Sequence, residues 1–155
     1  GEFEPEIADF VEQEDLALSR IFSTHDHYEH SGGLREAVER YGAEVFAGSG
    51  RPGGCPAIRV GHGDEIRVGK LVGKVLATPG HTSDMLSLAF DGMVFTGDAL
   101  FAGSVGGTSS PGAAKQQLDA IRQFFFTLTP DTEIYTGHGP SSTVAIEKNC
   151  NPFFV

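Results

Sequence analysis

Apolar positions along the chain change period several times, and each change marks an element. Between Pro5 and Glu14, Ile7, Phe10 and Val11 recur at helical spacing behind a proline suited to a first turn and acidic residues suited to a helix's positive end. This predicts a short helix with those three side chains inward. Leu16 to Ser23 (LALSRIFS) reads as a buried strand, and Leu34 to Tyr41 as a second amphipathic helix closed by Gly42. Glu44 to Ala47 is a further strand, followed by Gly48 to Pro56, a loop too rich in glycine and proline to be regular. Ile58 to Val60, Glu65 to Val68 and Leu71 to Ala77 then read as successive strands of an antiparallel meander, and Met85 to Phe90 with Met93 to Thr96 as a hairpin around Asp91-Gly92. After the loop Gly103 to Gly112, Ala113 to Phe126 carries the longest helical pattern, with Leu118, Ile121, Phe125 and Leu128 facing a core. Glu133 to Thr136 is the last strand, Ser142 to Asn149 a terminal helix, and the final residues, Asn151 to Val155, an apolar segment that docks on the core. Mixed elements in this order give an α/β (α+β) class.

Composition narrows the reading. A chain of 155 residues, 39% hydrophobic, fits a single domain over 1–155 that buries roughly two thirds of its unfolded surface. The formal charge of -10 argues against nucleic acid and anionic membrane as partners, because phosphate-binding faces need clustered Lys and Arg. The acidic start and the lack of any apolar run near about 18 residues point to a soluble chain with no membrane partner. Cys55 and Cys150 lie far apart without a CxxC pattern, so free thiols and a reducing, cytoplasmic location are expected. Cys55 itself reads as an incidental thiol in a surface loop.

The candidate chemistry is concentrated at Thr24-His25-Asp26-His27-Tyr28-Glu29-His30, where three imidazoles and two carboxylates fall between His25 and His30. Neutral imidazole offers a nitrogen lone pair near neutral pH and carboxylates supply charge, so this run reads as metal-binding on a strand-to-helix loop. Asp26 reads as a loop residue rather than a ligand. Three later segments repeat a device in which a strand runs into a glycine-flanked ligand-type side chain: Thr78-Pro79-Gly80-His81-Thr82, Gly97-Asp98 and Gly137-His138-Gly139-Pro140. His62, isolated in Gly61-His62-Gly63-Asp64, reads as an ordinary turn residue. The glycine-rich loop after Gly103 lacks the GxxxxGK[ST] order that cradles a nucleotide phosphate.

Taken together, His25-x-His27-x-Glu29-His30-Ser31-Gly32-Gly33, Thr78-Pro79-Gly80-His81-Thr82, Phe95-Thr96-Gly97-Asp98-Ala99-Leu100-Phe101, Gly137-His138-Gly139-Pro140 and Asn151-Pro152-Phe153 resemble a metallo-β-lactamase-fold hydrolase of the short glyoxalase II-like (hydroxyacylglutathione hydrolase-like) branch. The resemblance implies an αβ/βα sandwich and two divalent metal ions, zinc foremost with iron or manganese as alternatives. It implies His25, His27 and His81 as ligands of a first metal, and His30, His138 and Glu29 as ligands of a second. Asp98 would bridge both, and Asp98 and Glu29 would serve catalysis with a metal-bridging hydroxide that attacks a small thioester or ester. Alternatives in the same superfamily are a mononuclear iron persulfide dioxygenase and a non-catalytic metal-binding module.

The chain departs from the family pattern in places. Glu29 stands where the family usually has Asp, one methylene shorter; Asp84 stands where a glycine is frequent; and Gly107 and Ser109 stand where Arg and Asp are frequent. Family members begin with strands and an Asp-Pro-Gly-Gly turn ahead of the first helix, and Gly1 falls just after that turn. The expectation is an incomplete sheet whose open edge favours self-association, as a homodimer. With the chain ending at Val155, a glutathione anchor on a carboxy-terminal extension is not expected.

Overall fold

The computed structural model describes residues 3–155, which divide into two compact units, one ending at Val60 and the other running from Gly61 to Val155. In the first, α1 (Pro5–Gln13) begins with proline in its first turn, where the missing N–H has no intrahelical partner to lose. Its buried residues are Ala8 and Val11, whereas Ile7 and Phe10 are 46% and 58% exposed. The expected inward face is therefore rotated: closest packing falls on the small Ala8, and at about 100° per residue Ile7 and Phe10 turn to the flanks.

β1 (Arg20–Ser23) is half the length read from the sequence, because its ladder to β2 (Glu44–Ala47) begins only at the Arg20–Glu44 pair. Between them lie a single helical turn, α2 (Tyr28–Ser31), and α3 (Leu34–Tyr41). Gly42 ends α3 in the left-handed region (φ 66°), its N–H bonded to the Val38 carbonyl, which is the stop signal expected of it. β3 (Ile58–Arg59) pairs parallel with β2, giving the order β1-β2-β3. That pairing removes Ile58–Arg59 from the expected antiparallel meander. Leu34, Val45 and Cys55 form the core of this unit with Ile21, Val38 and Ala57 around them. Cys55 is thus a packing residue, 3% exposed, rather than a surface thiol, and both cysteines are free.

The second unit holds β4 (Glu65–Val68), β5 (Leu71–Ala77), β6 (Leu86–Phe90) and β7 (Met93–Gly97), an antiparallel meander as read. β8 (Leu100–Phe101) and β9 (Ser104–Val105) form a small hairpin that claims the start of the expected loop after Gly103. α4 (Pro111–Phe124) starts where the Ser110 hydroxyl accepts the Ala113 N–H at 3.1 Å. β10 (Glu133–Thr136) and β11 (Ser142–Thr143) follow, and α5 (Val144–Cys150) is capped by Thr143, so Ser142 and Thr143 belong to a strand rather than to the terminal helix. Leu76, Met85, Val94, Leu100, Ile121, Phe125 and Ile134 make up most of the buried core. The chain end docks chiefly through Asn151, 1% exposed, while Phe153 and Val155 face outward and Phe154 packs at 4.7 Å on Phe126.

The sheet order β11-β10-β7-β6-β5-β4 decides where the chemistry falls. β10 runs parallel to β7, and β5 shares that direction because β6 is antiparallel to both β5 and β7. The carboxy-terminal ends of β5, β7 and β10 therefore lie along one edge, and each is followed by a candidate ligand: His81, Asp98 and His138. No helix among the described residues is long and apolar enough to cross a membrane.

Candidate metal centre

Asp98 leaves β7 directly behind Gly97, and register with β10 brings His138 beside it. The Asp98 Oδ2 atom lies 3.4 Å from His138 Nε2 and 3.5 Å from His81 Nε2. Both distances exceed a good hydrogen bond. They match the separation of about 3.4 Å between two ligands that each bind one zinc ion at about 2.0–2.1 Å in tetrahedral geometry. The protonation of His81 supports the same reading. Its Nδ1 is 2.7 Å from the Gly107 carbonyl, which can only accept, so Nδ1 carries the proton and in the neutral ring Nε2 turns a lone pair toward a carboxylate. Two electron-rich atoms facing one another at that spacing fit a cation between them.

Enclosure differs across this set. The side chains of Asp98 and His81 are 6% and 15% exposed, while that of His138 is 55% exposed and forms the open side. Gly106 closes the back: a Cβ there would lie 1.9 Å from the Asp98 carbonyl oxygen and 3.1 Å from His81 Nδ1. Only a glycine allows so close an approach.

In the first unit, His25, His27 and His30 are gathered by the loop and single turn that follow β1. The ring of His25 is 4.8 Å from that of His27 and 4.3 Å from that of His30. Ligand atoms of His25 and His27, of His25 and His30, and of Glu29 and His30 lie within 4.8 Å of one another. His25 is 2% exposed, with Thr24 Oγ1 3.0 Å from its Nδ1; Glu29 lies exposed on α2. Three hydrogen bonds shape this loop. The Ser23 hydroxyl donates to the His25 carbonyl at 3.2 Å, the Ser31 hydroxyl to the His27 carbonyl at 3.0 Å, and the Gly53 N–H to Asp26 Oδ1 at 2.6 Å. Asp26 is accordingly a loop-shaping residue, as its position suggests.

His62 belongs to none of the candidate ligand groups and lies at a turn, with its ring 4.7 Å from Phe124. Sequence reasoning passed over two contributors. Gly107 offers only a carbonyl, which composition cannot flag. Gln117, 1% exposed, was legible in principle: it shares a stripe of α4 with the buried Ala120 and Ile121, and a polar residue within an apolar stripe is an informative exception. The apolar spacing points to Leu118 beside Ile121 and Phe125, and the latter two are buried.

Comparison with known proteins gives the family. The model of the metallo-beta-lactamase superfamily matches residues 56–145. A hydroxyacylglutathione hydrolase from Bradyrhizobium sp. (strain ORS 278) is 38% identical over 133 residues, covering 83% of this chain and 51% of that protein. The chain thus spans about half the length of the curated relatives it matches. Among solved structures, ETHE1 from Myxococcus xanthus superposes with a TM-score of 0.86 at 38% identity, covering 96% of this chain and 68% of its own. TTHA1623 in a di-iron-bound form superposes with a TM-score of 0.81 at 27% identity, covering 97% of this chain and 85% of its own. Candidate ligands at strand ends, their spacing and a family match over more than half of the sequence lead to one conclusion: the chain belongs to the metallo-β-lactamase superfamily.

Proposed function

We propose that this chain is a metal-dependent hydrolase of small thioesters or esters, in which residues 1–155 act as one domain and both ligand sets serve one binuclear centre. The observation that carries the reading is Asp98 Oδ2 at cation-sharing distance from both His81 and His138. The hydroxyacylglutathione hydrolase relative supports a hydrolase, and the di-iron-bound TTHA1623 structure supports two metals. His25, His27 and His81 would hold the first ion, His30, His138 and Glu29 the second, and Asp98 both. Such ions, zinc foremost and iron or manganese next, supply an acidified water and a polarised carbonyl when bound.

The chain's own groups do the rest. The Gly107 carbonyl keeps the His81 proton on Nδ1. Asp98, enclosed, concentrates negative charge where cations bind, and exposed Glu29 can take up a proton released near its carboxylate. His138, open to solvent, marks the side from which a small molecule enters. The reading also includes self-association as a homodimer in the cytoplasm. It is supported by exposed Ile7, Phe10 and Leu16 and by a cavity of about 330 Å³ whose apolar walls include Ile7, Leu18, Ile21 and Leu34. A folded, strictly monomeric species in analytical ultracentrifugation would remove that part.

Hydrolysis of a generic acyl-thioester is the test. Wild type and His62→Ala should turn it over equally, and His81→Ala should not. Equal rates in all three contradict the ligand assignment. Oxygen consumption with bound iron and no hydrolysis would replace the reaction by the dioxygenase, and metal retention without either activity would reduce the chain to a binding module.

A further inference from the structure

Gln117 is the one amide in the apolar stripe of α4. Its Nε2 donates to the Ala99 carbonyl at 3.0 Å and to the Gly106 carbonyl at 2.9 Å. Ala99 follows Asp98, and Gly106 precedes Gly107, whose carbonyl accepts the His81 proton. On its third side Gln117 backs onto Gly80, the residue before His81. A Cβ at position 80 would fall 2.3 Å from the Gln117 Cβ and 2.8 Å from its Oε1, and the φ of 150° at Gly80 disfavours any other residue. One side chain therefore touches the backbone on either side of the His81–Asp98 pair.

The chemistry selects glutamine. Both amide hydrogens are used on two carbonyls, which leucine or methionine of similar volume cannot serve and asparagine is too short to reach in the same way. Its Oε1 is buried and has no hydrogen-bond partner among the described residues. An amide with one unsatisfied atom is a poor choice for core stability alone, so its place in this stripe calls for another reason.

We propose that Gln117 is a positioning residue of the metal centre: it ties the Asp98 turn to the Gly106–Gly107 segment and so sets the spacing of Asp98 and His81 for a divalent ion. The inference rests on the metal-binding part of the function proposed above. It makes a demand on affinity rather than on fold. Groups that orient metal ligands typically change affinity by about 10–100-fold when lost.

The experiment uses the full chain, with zinc affinity measured by competition against a chromophoric chelator and site geometry by the visible spectrum of the cobalt(II) form. Gln117→Met should bind zinc at least about tenfold more weakly and shift the cobalt bands. Gln117→Glu, whose carboxylate donates no hydrogen and faces two carbonyl oxygens, should bind zinc at least as weakly as Gln117→Met. Phe125→Leu, which trims the core at the end of the same helix, should lower the melting temperature and leave zinc affinity unchanged. Wild-type affinity and spectrum in either Gln117 variant overturn the proposal, as does an equal loss of affinity in Phe125→Leu. A wild type that binds zinc but hydrolyses nothing overturns the proposed reaction and not this ordering of affinities. A wild type that binds no divalent ion overturns both.

Discussion

His25, His27, Glu29 and His30 reach one another because they are neighbours in sequence; His81, Asp98 and His138 do so because three strands point the same way in one sheet. The first set is shaped by side-chain hydrogen bonds to its loop, from Ser31 to the His27 carbonyl within it and from the Gly53 N–H of a later turn to Asp26. The second is held by ladder register and by a glycine that admits the Asp98 carbonyl to within 1.9 Å of where a Cβ would stand. Density makes a ligand set conspicuous, whereas topology makes it rigid. A site that needs ligands at fixed spacing gains more from the second arrangement.

The comparison predicts where damage spreads. Asp98→Ala should have the largest effect, removing bound metal and lowering thioester hydrolysis by roughly three orders of magnitude, because Asp98 acts as a unit with both histidines. Retention of metal by this variant would shift the weight to the amino-terminal loop. Gly53→Ala probes that loop: at φ 55° a Cβ would lie 2.5 Å from the Ser31 carbonyl oxygen. It should destabilise the protein by about 1–3 kcal/mol in chemical denaturation. No loss of stability would mean that the loop is not held through Ser31 and Asp26.

Glu29→Asp is expected to act more gently, restoring the shorter carboxylate usual in the family and raising hydrolysis by up to about tenfold. A large fall instead would show that the loop is tuned to the longer side chain. The smallest effect belongs to Tyr135→Phe on β10. The exposed Tyr135 hydroxyl donates to Glu133, which raises its pKa above the usual value of 10.0. A raised folded-state pKa means that the contribution is present below pH 10.0 and lost as the pH climbs through the folded value. Tyr135→Phe should remove only that alkaline slope in thermal melts, with metal binding unchanged.

The two regions were not equally legible in the sequence. The loop from Thr24 to His30 announces itself by composition, and Gly42 and the strand-glycine-ligand pattern marked element ends well, whereas α4 starts at Pro111, inside the stretch that reads as loop. Where the reading slipped, the buried face of a helix went to a residue less apolar than its neighbours. Ala8 displaced Ile7 and Phe10 on α1, and Gln117 displaced Leu118 on α4. Partners chosen at long range were also invisible: Ile58 pairs parallel with Phe46 rather than joining the meander, and Leu16 to Ser19 lack a ladder. Carbonyl groups carry no residue signature, so the role of Gly107 could emerge only from geometry.

Metal content of the purified chain, measured by inductively coupled plasma mass spectrometry beside His81→Ala, tests the central claim most directly. Two divalent ions per wild-type chain and at most one in His81→Ala is the result expected of a binuclear centre shared by both ligand sets. Wild type carrying one ion or none, or a His81→Ala variant as fully loaded as wild type, would contradict it.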